Sequence, residues 1–172
     1  MPLFAAVVDV SFLIVSALIL ARVLLRAGSR RNYFIPILLI VLALANALSH
    51  AGSHGWLAVS PLTGLHLAVT LVTLLETVIA GRIVPSFTAN ALRTTPWKNA
   101  HVDRAAIAGT AIALGLWAFD APAGVTGIAA LVAGIAQSVR VWGWRPLATV
   151  RTPLLWVLHL SHGWIVFALF LL

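Results

Sequence analysis

Six apolar runs, each close to the length needed to cross hydrocarbon, constrain this chain more than any other feature. A spanning helix needs about 20 mostly apolar residues. Such runs fall at about Leu3–Leu25, Tyr33–Gly52, Thr63–Ile83, Arg104–Phe119, Ala123–Trp142 and Leu154–Leu172. The runs are too long for strands and do not alternate polar with apolar residues, so they read as helices rather than strands. Composition agrees: 9% of residues are charged and 62% hydrophobic, whereas soluble domains carry roughly a quarter charged. The expected fold is all-α, a polytopic membrane bundle of six transmembrane helices forming a single domain over residues 1–172.

The placement of charge orients this bundle. Arg22, Arg26, Arg30 and Arg31 surround the first loop, Arg82, Arg93, Lys98 and Arg104 the third, and Arg140, Arg145 and Arg151 the fifth. The second and fourth loops hold no Lys or Arg. Basic residues accumulate on the cytoplasmic side, so the odd loops are expected inside and both termini outside. Tyr33, Trp97, Trp142 and Trp144 then fall near the inner boundary and Trp56 near the outer one, as interfacial aromatic belts do. The net charge of +7 is therefore no nucleic-acid signal, because a binding stripe needs one contiguous solvent-facing surface. The first run lacks a basic leader and carries Asp9, so it reads as a span rather than a cleaved signal peptide. Pro85 to Asp103 reads as the longest polar loop, with Arg82 ending the third span and His101 solvated. Ala123, Gly127, Ala130 and Gly134 place small residues along the fifth span, a pattern of close helix contact.

With no cysteine in the chain, thiolate metal sites and iron–sulfur clusters are excluded. Ionisable groups inside a span are costly and face the bundle interior. At 1.5 Å rise per residue they sort into two levels above the inner boundary: Asp9 at about 24 Å, His50 and His66 at about 25 Å, Glu76 at about 10 Å, His159 at about 8 Å and His162 at about 12 Å. His54 stands just above the outer group. Imidazole suits copper, iron and zinc, and a carboxylate can orient a ligating ring. Asp9, His50, His54 and His66 are thus a candidate metal set, or else interfacial groups bonded to water and headgroups. His159 and His162, spaced i, i+3, share one helix face. They cannot clamp one haem iron from opposite sides, so at most one is an axial ligand. With Glu76 and Arg82 they form a candidate cofactor-binding set, or a polar pair that locks helices together. Arg82 reads as a boundary arginine, a partner of Glu76 or a partner of a haem propionate. Asn46 and Gln137 read as interhelical hydrogen-bonding groups. Trp156 and Trp164, flanking the two histidines, suit either a macrocycle or a neighbouring helix.

These residues leave several functions open: a haem or metal protein, a small transporter or metal permease using two polar sites in succession, and a non-catalytic subunit pairing with another membrane protein or with its own copy. No nucleophile–base pair and no phosphate-cradling glycine loop is found, so no reaction is assigned.

Gly81-Arg-Ile-Val-Pro-Ser-Phe-Thr88, continuing to Asn90 and Leu92, resembles the signature of the NnrS family. Arg151-Thr-Pro-Leu-Leu-Trp-Val-Leu-His159, ending at Trp164, resembles a second stretch of it. Asp9-Val-Ser-Phe12, Arg31-Asn-Tyr33 and Leu42-Ala-Leu-Ala-Asn46 add weaker matches in the same order. The resemblance implies a bacterial inner-membrane protein containing haem and copper and connected with the response to nitric oxide and nitrosative stress, in which His159 and Arg82 match motif positions. The family is about twice as long, with histidine-bearing segments before and after this region, so the chain is expected to correspond to the central part of the family fold. His162 stands where the family pattern leads one to expect tyrosine.

The orientation is directly testable, because any introduced cysteine is unique. Single cysteines at either end are expected to react with an impermeant maleimide on intact spheroplasts, and cysteines in the first or third loop only after permeabilisation. Ends that react from opposite sides overturn the assignment.

Overall fold

The computed structural model describes residues 2–172. Among these the chain forms six α-helices and no strand: α1 Pro2–Arg26, α2 Phe34–Ser53, α3 Pro61–Leu92, α4 Ala100–Ala118, α5 Ala123–Gly143 and α6 Pro153–Leu171. Single 3-10 turns stand at Arg30–Asn32 and Pro146–Thr149. Five of the helices, all but α4, are long and apolar enough to cross a membrane. His101, Asp103 and Arg104 occupy the start of α4 and dilute its apolar content.

The helix starts follow from local chemistry. Pro61 and Pro153 open α3 and α6, and Pro36 lies in the first turn of α2, where the absent N–H costs nothing. Asn99 caps α4 by accepting the backbone N–H groups of His101 and Val102 at 2.8 and 3.4 Å, as short polar caps do. Asp103 in that first turn also complements the positive end of the helix dipole.

Two features depart from the sequence expectation. First, α3 does not end at Ile83 but runs through Pro85 to Leu92, so part of the expected polar loop is helical. Proline removes one backbone donor, a loss that Ser/Thr side chains and neighbouring helices make tolerable in apolar surroundings. Here Pro85 is fully buried and the Thr88 hydroxyl donates to the Val84 carbonyl at 2.9 Å one turn on. Second, the Trp144 side chain packs inside the protein at 1% exposure, whereas Trp142 is exposed.

The described residues divide into two compact units, Met1–Leu75 and Glu76–Leu172, with the boundary inside α3. In the first, α1 packs on α2, with Ala6, Ala17, Ala43 and Ala45 buried. Gly64 of α3 lies so close to α2 that a Cβ there would stand 2.5 Å from the Ala45 carbonyl oxygen and from the Ser49 nitrogen. In the second, α4 packs on α5 and α5 on α6. Ala113, Ala130, Ala133 and Leu169 form one cluster, and Ala80, Val84 and Trp144 another. Gly109 lets α4 approach Ala133 of α5. Most buried side chains are small or polar, with Trp144, Leu155 and Leu169 the large apolar exceptions, while others such as Phe4, Leu18, Ile128 and Leu154 face outward. That distribution suits hydrocarbon as the solvent, where small residues bring helices together.

Gly64→Ala is expected to destabilise the first unit by about 1–3 kcal/mol, the usual cost of overpacking. Unfolding of the purified protein in detergent measures it, with Gly127→Ala, at a helical glycine whose added Cβ would meet nothing within 4 Å, as a comparison for glycine replacement away from a helix contact.

Candidate functional site

The sequence expectation that His159 and His162 share a face is met, and the face is buried: His159 is 4% exposed and His162 fully enclosed. Their hydrogen bonding is quite different. The ring of His162 is occupied at both nitrogens. Nδ1 lies 3.4 Å from Oε1 of Glu76 on α3, and Nε2 lies 3.4 Å from Oε1 of Gln137 on α5. Gln137 in turn donates from its amide nitrogen to the Thr110 hydroxyl at 3.0 Å, and Thr110 donates to the Ala106 carbonyl at 2.8 Å within α4. Four helices thus meet along one polar chain.

His159 is held on one side only. Its Nδ1–H donates to the Leu155 carbonyl at 2.9 Å, while Nε2 is buried with no hydrogen-bond partner. A buried nitrogen without a partner costs on the order of 1–3 kcal/mol. A ring whose Nδ1–H is fixed to a carbonyl and whose Nε2 lone pair is free has the tautomer that metal-ligating histidines use. Leu155 and Leu158, which bracket this turn, also line a groove of about 630 Å³ with Phe87, Asn90, Ala91, Thr152 and Leu154, between the end of α3 and the start of α6.

Between the two histidines stands Trp144, its ring 5.0 Å from that of His162 and 6.5 Å from that of His159. The Arg140 guanidinium lies 5.3 Å over the same indole, a cation–π arrangement. The sequence reading counted Arg140 among the basic residues flanking the fifth loop; the structure buries it inside the bundle. It is 4% exposed on α5. Its Nε donates to Oδ1 of Asp103 at 2.7 Å and its Nη1 to the Thr77 carbonyl at 3.1 Å. The guanidinium rests on Gly81, where any Cβ would collide with Nη2 and Cζ. The arginine drawn into this core is therefore Arg140, whereas Arg82, one residue beyond Gly81, is half-buried.

A signal for this was present in the sequence. Thr126, Ala130, Ala133, Gln137 and Arg140 are buried at alternating spacings of four and three, with Ile128, Leu131, Val132, Ile135, Val139 and Trp142 outward. The stripe of small and polar residues thus continues past the four positions singled out from sequence: of these Ala130 and Gly134 are buried, and Ala123 is exposed. Trp156 and Trp164 are exposed, with Trp164 edge-on to Phe167.

In the first unit, Asp9 and His50 meet, with Oδ2 3.2 Å from Nε2. The Nδ1 of His54 lies 2.7 Å from the His50 carbonyl oxygen, its ring stacks on Trp56 at 5.0 Å, and the His50 and His54 rings are 6.2 Å apart. His66 lies on α3, its carbonyl accepting the Thr70 hydroxyl at 2.8 Å. Among the described residues no three His, Asp or Glu side chains gather closely enough to hold a metal ion.

The family model described as NnrS protein matches residues 1–172, and the chain belongs to that family. No curated protein and no solved structure matches it.

The ion pair carries a stability prediction. Asp103→Ala leaves the Arg140 Nε without its charged partner and is expected to cost about 1.5–3 kcal/mol, toward the lower end because the Asp103 side chain is 33% exposed. Detergent unfolding of the purified variant checks this.

Proposed function

We propose that this member of the NnrS family is a bacterial inner-membrane haem protein of the nitric oxide response, with Nε2 of His159 as the iron ligand. The observation that carries the reading is the bonding of that one ring: Nδ1 anchored to the Leu155 carbonyl and Nε2 buried without a partner. Imidazole is a common axial ligand of haem iron. The neighbouring groove of about 630 Å³ falls within the usual range of ligand sites, which are mostly apolar with a few polar groups. Phe87, Leu154 and Leu158 supply apolar wall, and Asn90 and Thr152 supply polar groups. Because Nε2 is buried, loading takes movement of the Leu155 and Leu158 side chains. Bound there, haem supplies a redox-active iron able to take up a diatomic gas.

His162 plays a different part in this reading. Both of its nitrogens already meet side chains, so it supports the pocket rather than the iron, and Glu76 acts through it. The copper set does not converge in the same way. Asp9 and His50 bond to each other, and the four candidates form no closed donor set, so no step is routed through copper.

Protein purified from haem-replete cells is expected to show a Soret band that His159→Ala abolishes and His162→Asn retains, with both variants eluting as folded monodisperse protein. A colourless wild-type preparation, or a band that survives loss of His159 unchanged, overturns the assignment.

A further inference from the structure

The polar chain through His162 has a direction, and the direction follows from its far end. The Thr110 hydroxyl has one proton, and that proton is given to the Ala106 carbonyl at 2.8 Å. What Thr110 offers to Gln137 at 3.0 Å is therefore a lone pair, so the Gln137 amide nitrogen faces Thr110 and its oxygen faces His162. An amide oxygen accepts only. Nε2 of His162 must then carry a hydrogen, and its protonation is fixed by a hydroxyl two residues away along the chain.

All exchange of protons at this ring is thereby confined to Nδ1, and Nδ1 faces Oε1 of Glu76. His162 is fully enclosed, whereas the Glu76 side chain is 42% exposed, so the carboxylate is the ring's one hydrogen-bonded link to the protein surface among the described residues. The other charged and titratable groups around the site are engaged elsewhere. Arg140 on α5 is paired with Asp103 of α4 and lies 5.3 Å over the Trp144 ring, and His159 on α6 is tied at Nδ1 to Leu155.

We propose that Glu76 and His162 form a proton-exchange site, in which the carboxylate accepts a proton at its exposed edge and shares it with Nδ1 of a ring held in one tautomer by Gln137. The transfer is a simple balance. A hydronium ion reaching the exposed edge gives its proton to Glu76 and leaves as water. The Oε1–H bond breaks, its electron pair stays on oxygen, and the Nδ1 lone pair takes the proton to give imidazolium beside carboxylate. Reversal returns the proton by the same route. With Nε2 closed by an acceptor, the site has one entrance and stores one proton, rather than passing it on through the ring. The inference needs no haem and stands apart from the reading of His159.

The test uses the full chain in lipid nanodiscs, labelled with 15N-histidine, with H162N to identify the His162 signals. Infrared difference spectra across a pH series follow the carboxyl, and nitrogen shifts follow the ring. The expected result is a Glu76 carboxyl band and a His162 Nδ1 shift that change together, while Nε2 stays protonated throughout. Glu76→Gln should abolish the ring's pH response over that range. Gln137→Leu should leave the carboxyl signal in place and allow a second His162 tautomer to appear. Independent titration of the two groups, or a single fixed tautomer in the Gln137→Leu protein, overturns the proposal. Because the second variant removes no ionisable group, the result stands even if the Glu76 substitution fails to fold.

Discussion

Hydrocarbon offers a buried polar atom nothing to bond with, and the second unit is organised around that constraint. In water, large apolar side chains turn inward and polar ones outward. Here the outward faces carry Ile128, Leu131, Leu154 and Phe167, and most enclosed positions, Trp144 and Leu169 aside, are taken by alanine, threonine, Gln137, Arg140 and the two histidines. Apolar burial cannot drive helices together when the solvent is itself apolar. What remains is close packing at small residues, as at Gly109 against Ala133, and hydrogen bonds that run from helix to helix.

Arg140 shows how much local sequence such a bond demands. An isolated buried guanidinium is prohibitively costly, and this one is stabilised at several points: Asp103 at the start of α4, the Thr77 carbonyl of α3 and the Trp144 ring. Each contact restricts its own element. Asp103 has to stand in the first turn of α4, which is also why that helix is less apolar than the other five. Gly81 has to lack a side chain. A carbonyl already serving an α-helix accepts the extra bond through its second lone pair, and it is exposed to the guanidinium only because the helix surface at Gly81 is bare. A stretch noticed in the sequence as a family signature, starting at Gly81, thus has a packing reason at its first residue.

The helices were legible because spanning length and apolar content are properties of consecutive residues. Their ends were less so. Pro85, Ser86 and Asn90 read as loop, yet α3 passes through them, since the penalty of proline depends on what the surrounding helices supply and not on the tripeptide itself. Of the site, the i, i+3 histidine pair and Glu76 were readable from spacing and depth. That His162 is saturated while His159 is not could not be read, because the difference lies in Gln137 and Thr110, which come from other helices. The burial of Arg140 was not readable for a related reason. Charge near the end of a span usually means a loop, and only the stripe on α5 from Thr126 to Arg140 places it inside.

The two histidines illustrate how one helix face can hold two chemistries. They are three residues apart, share the same aromatic neighbour and have similar burial, so neither solvation nor position along α6 distinguishes them. The distinction is made at the second nitrogen. Gln137 and Glu76 fill the hydrogen-bonding capacity of His162, and a ring filled in this way is suited to holding protons and poorly suited to binding a metal. His159 receives one backbone carbonyl and nothing more, which fixes its tautomer and leaves a lone pair available. Exchanging these environments would exchange the roles, with no change in the residues that carry them. For histidines within an apolar bundle, the bonding of the second ring nitrogen therefore says more about function than the presence or spacing of the imidazoles.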